Sequence, residues 1–333
     1  MKVQEMPKMS KQGAVVITGA AGFIGSGIVR YLNDHQIDHL ILVDDIGTTE
    51  KWKNLVGKRF IDILPSAKLH SWLKEHADEV SAIIHMGACS DTTEKDGDFL
   101  IENNYRYSVR LAEIALEKRI LFIYASSAAT YGDGSLGFSD DHDCLETLVP
   151  LNMYGYSKHL FDLWLKRQGA LNHVVGLKYF NVFGPNERHK GRMASAITQF
   201  LPQVQKGAAV RLFRSDHPQF KDGEQQRDFI YVKDAVTMTC SFLHISARGI
   251  FNIGRGQPST WNQLAYSVFK AVGKKPEIEY IDMPRDLIGK YQYYTCAPMQ
   301  KTQQALGVYS ACHPLEEAVE DYVCNYLIPE KTW

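Results

Sequence analysis

Six cysteines, at positions 89, 144, 240, 296, 312 and 324, are all that the 333 residues contain, and none stands in a C-x-x-C pair or beside histidines at metal-ligand spacing. Their scatter excludes a zinc ribbon or a dithiol redox motif and fits reduced thiols, a cytoplasmic setting and no metal. Net charge is nearly absent as well: 37 Lys and Arg against 38 Asp and Glu leave −1, which provides no electrostatic footprint for nucleic acid. No apolar run approaches the roughly 20 residues of a membrane span. Met1 to Gln12 is polar and lysine-bearing, lacks the apolar stretch of a signal peptide, and reads as a loose tail. Repeats and low-complexity segments are missing too, and His217, His244 and His313 have no partners at ligand spacing. What remains, 45% hydrophobic and 23% charged residues, is the composition of a soluble globule, long enough for one large α/β domain or two smaller ones.

Ala14-Val15-Val16-Ile17-Thr18 is a short β-branched run that feeds Gly19-Ala20-Ala21-Gly22-Phe23-Ile24-Gly25, after which Ile28, Val29 and Leu32 follow a helical period. Strand, glycine turn and helix in that order put free backbone N–H groups and the positive helix end where a pyrophosphate can sit. A tight turn made only for packing gives the same three glycines. The next strand, His39 to Val43, separates the two readings, because it ends in Asp44, nineteen residues past Gly25, where a carboxylate reaches an adenosine ribose. The hydrophobic pattern then predicts strands over 59–63, 81–86, 120–125 and 174–179, with helices over 66–76, 103–118 and 154–168. Near-continuous apolar strands alternating with helices imply a parallel sheet covered on both faces, with ligands beyond the carboxyl ends of the strands. Those ends carry Gly19, Asp44, Gly87-Ala88-Cys89-Ser90 and Ser126-Ser127.

Tyr154 and Lys158 lie four residues apart on the 154–168 helix, for which Asn152 is a suitable N-cap and Gly169 a suitable terminator. A free phenol, with a pKa near ~10, is a poor base at neutral pH. A lysine cation one turn away favours the phenolate, which makes the pair a candidate acid/base device. Among 17 tyrosines one such spacing is expected by chance, and Tyr266 with Lys270 supplies a second. Ser127, at the end of the fifth strand, breaks the tie, because the first pair then forms a triad downstream of a dinucleotide fingerprint and the second does not.

The residues that carry this pattern resemble the extended short-chain dehydrogenase/reductase family. More narrowly, His85-Met86-Gly87-Ala88-Cys89-Ser90, Asn103-Asn104-Tyr105, Tyr124 to Gly132, Leu151 to Lys158, Tyr179 to Pro185, His189 to Ser195 and Arg227-Asp228-Phe229 resemble the ADP-L-glycero-D-manno-heptose 6-epimerases. The segment around His189 and Lys190 is the most specific of these. The resemblance implies inversion of C6″ of an ADP-linked heptose, for lipopolysaccharide inner core, with NADP held throughout. It implies Tyr154, Lys158, Ser127 and Lys190 as catalytic residues. Cofactor contacts would come from Gly19, Gly22, Phe23, Ile24, Gly25, Asp44, Asp45, Lys51, Met86, Gly87, Ala88, Cys89, Ser90, Asn103, Lys158 and Val182. Asn181, Arg192, Phe213, Arg214, Arg227 and Tyr291, with Ser127 and Lys190, would touch the nucleotide sugar. A homo-oligomer, a pentameric ring, is implied too.

The adjacent carboxylates Asp44 and Asp45 favour NAD over NADP, since a 2′-phosphate carries nearly two negative charges; Lys51 or Lys53 would offset them. Arg188, His189, Lys190 and Arg192, with Arg211, Arg214 and Arg227, are candidates for diphosphate contact. A solvated basic loop is the alternative. The segment Asp228 to Val232, a helix over 234–244 and a strand over 249–254 read as a return to the sheet. The expected fold class is therefore a Rossmann-type doubly wound parallel sheet, residues 13–181 plus 228–256. A smaller α/β substrate-binding lobe at the C-terminal side, 182–227 plus 257–333, completes it. Two other functions share these residues: a C4 epimerase or reductase of another nucleotide sugar, and a non-catalytic dinucleotide-sensing protein. A 4,6-dehydratase is disfavoured, because Ala128-Ala129-Thr130 stands where such enzymes resemble one another in an Asp-Glu pair.

Overall fold

The computed structural model describes residues 13–284 and 291–333, so the tail expected over 1–12 lies outside the described residues. Seven parallel strands form the central sheet: β1 (Ala14–Thr18), β2 (Leu40–Val43), β3 (Asp62–Leu64), β4 (Val80–His85), β5 (Leu121–Ser127), β6 (Val175–Tyr179) and β7 (Gly249–Ile253). Their order is β3-β2-β1-β4-β5-β6-β7. The order runs outward in both directions from β1 and β4, so a crevice opens between them at the carboxyl ends. Every residue of β1, β2, β4, β6 and β7 is buried, which is why these strands read as near-continuous apolar runs. The short β3 starts at Asp62 and not at Arg59, because Arg59 turns out to the Asp38 carboxylate at 2.8 Å.

Asn152 caps the helix Met153–Arg167, its side chain accepting the Gly155 N–H at 2.8 Å, and Gly169 takes φ +64° just past the helix end. The helix expected over 103–118 begins earlier, at Gly97. It runs Gly97–Leu100, then a π-helical turn at Ile101–Arg106, then Tyr107–Glu117.

Of the segment read as returning to the sheet, only Gly249–Ile253 does so. Phe229–Tyr231 pairs instead with Asn181–Phe183 in a separate parallel ribbon. The outer edge of β7 is already covered, since the Ile250 N–H donates to His142 Nε2 at 3.1 Å and the Asn252 N–H to Asp140 Oδ2 at 2.9 Å. The Asp228 carboxylate meanwhile accepts N–H groups of Arg255, Gly256 and Ala297 at 2.7, 2.9 and 2.9 Å, which anchors its strand beside the turn after β7. Further along, Val210–Phe213 pairs in parallel with Ile278–Ile281, and the helices Ala196–Gln205 and Trp261–Ala271 pack together. Among the described residues no helix is long and apolar enough to cross a membrane.

Candidate active site

A cleft of about 1100 Å³ opens beyond the carboxyl ends of β1, β2, β4, β5 and β6. Its floor is the glycine turn. Gly19 holds φ +65°, and a Cβ there would lie 2.7 Å from the Gly87 N; a Cβ on Gly25 would collide with the Gly19 carbonyl. The helix Phe23–Asp34 begins at Gly22 with no side-chain cap and no acid in its first turn, so its leading N–H groups are left for an anion. This cradle, which any side chain would fill, fits a dinucleotide pyrophosphate.

At the far end of the turn, Asp44 accepts the Ala21 N–H at 2.8 Å and the Lys51 ammonium at 2.6 Å. Asp45 accepts the Ser66 N–H at 3.0 Å. Lys51 thus balances one of the two carboxylates, while Lys53 pairs with Glu50 at the surface and balances neither.

Ser127, Tyr154 and Lys158 all line this cleft. The competing pair lies elsewhere: Tyr266 is exposed and Lys270 pairs with Glu316 at 2.5 Å on the surface. The electrostatics correct one expectation. Depth in the cleft pushes the Tyr154 phenol above its ordinary value, with a hydrogen bond to Ser127 pulling it back and Cys89 adding to the rise. Burial brings the Lys158 ammonium down to about 8, against the pull of the Asp162 carboxylate one turn further on. Desolvation is therefore the largest influence on both groups. Burial favours the neutral phenol, and further positive charge in the cleft would favour the phenolate.

Two residues outside the expected set hold this geometry. Asn104, wholly buried in the π-helical turn, donates to the Cys89 carbonyl at 2.9 Å and to Ser157 Oγ at 3.0 Å, and accepts the Cys89 N–H at 2.9 Å. Ser157 in turn donates to the Tyr154 carbonyl at 2.7 Å. His85 extends the chain. Ser108 donates to the Asn104 carbonyl at 2.6 Å, so its oxygen accepts from His85 Nε2 at 2.9 Å, and His85 Nδ1 accepts from Thr18 at 2.6 Å. Thr18 accepts the Gly87 N–H at 3.0 Å. Burial lowers His85 to about 3, so the ring stays neutral with its proton on Nε2. Adjacent asparagines were legible in the sequence; the π turn that sends Asn103 to the cleft wall and Asn104 inward was not.

Of the remaining expected contacts, Phe23, Ile24, Met86, Gly87, Ala88, Cys89, Ser90, Asn103, Asn181, Val182 and Lys190 also line the cleft. The Lys190 ammonium lies 5.5 Å over the Phe23 ring, and burial lowers its pKa while Glu187 raises it. Arg192, Phe213, Arg214, Arg227 and Tyr291 are not part of the lining. Arg192 reaches out to Asp91 and Thr93, Arg214 pairs with Asp282 at 3.1 Å, and both pairs are exposed. Arg188 and Arg211 are likewise exposed and paired, with Glu330 and Glu279. Arg227 differs: it is 6% exposed, stacks 4.8 Å from the Tyr291 ring, and has no carboxylate partner among the described residues. Its guanidinium donates to the Gln226 carbonyl at 2.9 Å, and a buried cation without a carboxylate is costly and suits an anion. Ile197, Phe229, Trp261 and Leu264, which were not expected, also line the cleft.

A doubly wound sheet with a pyrophosphate cradle and a Ser-Tyr-Lys set at its carboxyl edge defines a dinucleotide-dependent enzyme of the short-chain dehydrogenase/reductase type. The chain belongs to the NAD dependent epimerase/dehydratase family, whose model matches residues 15–254. It is 51% identical over 316 residues to ADP-L-glycero-D-manno-heptose-6-epimerase of Nitratidesulfovibrio vulgaris, covering 94% of this chain and 97% of the relative. With the enzyme of the same name from Fusobacterium nucleatum it shares 44% identity over 331 residues, 96% and 99% of the two chains. The crystal structure of the Helicobacter pylori ADP-L-glycero-D-manno-heptose-6-epimerase superposes with a TM-score of 0.80 at 26% identity, covering 97% of this chain and 99% of that one. The cofactor is accordingly a nicotinamide dinucleotide.

Proposed function

We propose that this chain inverts C6″ of an ADP-linked manno-heptose, from the D-glycero to the L-glycero form, by transient oxidation at that carbon. The observation that carries the reading is the meeting of Ser127, Tyr154, Lys158 and Lys190 in one cleft, in a chain 51% identical to an enzyme so named. Tyr154 exchanges the proton of the C6″ hydroxyl in one orientation, with Ser127 hydrogen-bonded beside it. Held by the Gly19–Gly25 turn, Asp44 and Lys158, a nicotinamide dinucleotide would supply a hydride acceptor for C6″ and, in its oxidised form, positive charge that favours the Tyr154 phenolate. Because C6″ lies outside the pyranose ring, rotation about the C5″–C6″ bond turns the other face of the resulting ketone without release of the sugar. Lys190 then exchanges the proton in the second orientation. A lysine near neutral pH needs desolvation for this role, and burial lowers Lys190. Arg227 is the strongest candidate for the diphosphate.

The finer reading takes NADP as the cofactor, a homo-oligomeric ring, a cytoplasmic location and supply of lipopolysaccharide heptose. NADP is supported by the Lys51–Asp44 pair, which lowers the negative charge that opposes a 2′-phosphate. Lys51→Ala should raise the NADP Kd by about tenfold or more relative to NAD, measured by titration of stripped protein; equal effects on both would remove Lys51 from the discrimination. The function itself is tested with purified protein and ADP-D-glycero-D-manno-heptose. Inversion without added cofactor is expected, a dinucleotide should be released on denaturation and identified by mass spectrometry, and solvent tritium should not enter C6″. No inversion would overturn the assignment, and tritium at C6″ would overturn direct hydride return.

A further inference from the structure

The loop that delivers Lys190 is closed by a side chain that the chemistry above does not use. It leaves the ribbon strand at Gly184 and ends at Ser195, the N-cap of the helix Ala196–Gln205. Between them Glu187 is 1% exposed. Its carboxylate accepts Ser195 Oγ at 2.5 Å, the Ser195 N–H at 2.8 Å and, more weakly, the Gly184 N–H at 3.4 Å. Its carbonyl accepts the N–H of Lys190 itself at 2.9 Å. One residue therefore ties both ends of the loop and the backbone of the amine. The opposite face is also tied: Asn54 donates to the Asn186 carbonyl at 3.1 Å and to His189 Nδ1 at 3.2 Å.

Burial pushes the Glu187 carboxyl above its ordinary range, while the Ser195 hydrogen bonds and the neighbouring Lys190 favour its charged form. Its surroundings are the Tyr322 phenol from the helix Leu315–Tyr322 and Lys190; on the same loop Arg188 turns to Glu330 and His189 to Asn54. Lys190 lines the cleft, as does His189, whose imidazole burial pushes towards its neutral form. An acid/base group in an inversion must donate a proton in one direction and accept it in the other, so neither form can be strongly disfavoured. Burial disfavours the ammonium form of Lys190, and Glu187 opposes that drift.

Resting on the reading of Lys190 as the second acid/base group, we propose that Glu187 is its positioning residue, fixing the loop through Ser195 and stabilising the ammonium form through its charge. The test is the pH profile of kcat/KM for the wild type, Glu187→Gln and Lys190→Ala. Glu187→Gln keeps an acceptor for Ser195 and removes the charge, so the limb absent from Lys190→Ala should move to lower pH by about half a unit or more. Glu187→Asp keeps the charge and shortens the arm, so it should leave the limb in place and lower kcat by about tenfold or more through misplacement. Wild-type turnover in Lys190→Ala would overturn the second-base reading, whatever Glu187 does. A low-activity Lys190→Ala with an unmoved limb in Glu187→Gln, or wild-type kcat in Glu187→Asp, would overturn this inference alone.

Discussion

Replacing Asp162 by Asn tests how the catalytic helix is held against the sheet. Asp162 and Lys178 form an ion pair of 2.8 Å with both side chains at zero exposure. Asp162 sits one turn after Lys158 on the helix Met153–Arg167, and its carboxylate also accepts Tyr124 Oη at 2.8 Å and Ser126 Oγ at 2.7 Å, both from β5. Lys178, on β6, donates in addition to Thr130 Oγ1 at 2.6 Å. The pair thus bolts the strand that ends in Ser127 to the helix that carries Tyr154 and Lys158. Asn is isosteric with Asp, so no cavity is opened, and the loss is that of a buried ammonium left without its anion, about 3–5 kcal/mol. Unfolding entropy of roughly 2.1 cal/mol/K per residue over 333 residues is about 0.7 kcal/mol/K, so Tm should fall by about 4–7 °C. The double variant Asp162→Asn/Lys178→Met removes the stranded cation and should recover about half of that or more. Thermal unfolding followed by circular dichroism reads both. A Tm for Asp162→Asn within about 1 °C of wild type, the range of an inconsequential surface change, would refute the reasoning.

Tyr154→Phe should leave the fold intact and lower turnover by about 10²–10⁴-fold, the usual range for a lost acid/base group; a smaller loss in a substrate-turnover assay would move the chemistry elsewhere. His85 gives a pH dependence. Its folded pKa, about 3 through burial, is below the unfolded value of ~6.5, so the stability it contributes is present above pH ~6.5 and lost as pH falls towards about 3. His85→Gln should be less stable at pH 7 and should decline less steeply between pH 6.5 and 4.5 in urea unfolding. Parallel declines would show that His85 titrates freely in the folded chain.

What the sequence made legible was local. The glycine turn, Asp44 and the Tyr154–Lys158 spacing each lie within one turn or at one strand end, and Asn152 and Gly169 mark the helix limits they mark in the structure. The energetics of the same residues were not local. The direction of the Tyr154 shift depends on how deeply the cleft encloses the phenol, which strands far apart in the chain determine. Arg192 and Arg214 looked like phosphate ligands because a sequence displays cations but not their partners, Asp91 and Asp282, 101 and 68 residues away. Arg227 is distinguished from them by burial without a carboxylate among the described residues, a property no single stretch reveals. Glu187 and Asn54 were invisible for the same reason, since their significance lies in which loop ends they join.

The π-helical turn at Ile101–Arg106 has a mechanical consequence. A helix wound with one residue too many per turn holds a defect that would otherwise glide along it, much as a dislocation moves through a lattice. Asn104 pins that defect through Cys89 and Ser157. If the pin were released, as in Asn104→Ala, the cleft wall at Asn103 should not soften gradually but jump by a whole residue, and faster amide hydrogen exchange confined to residues 101–106 is the expected trace of that slip.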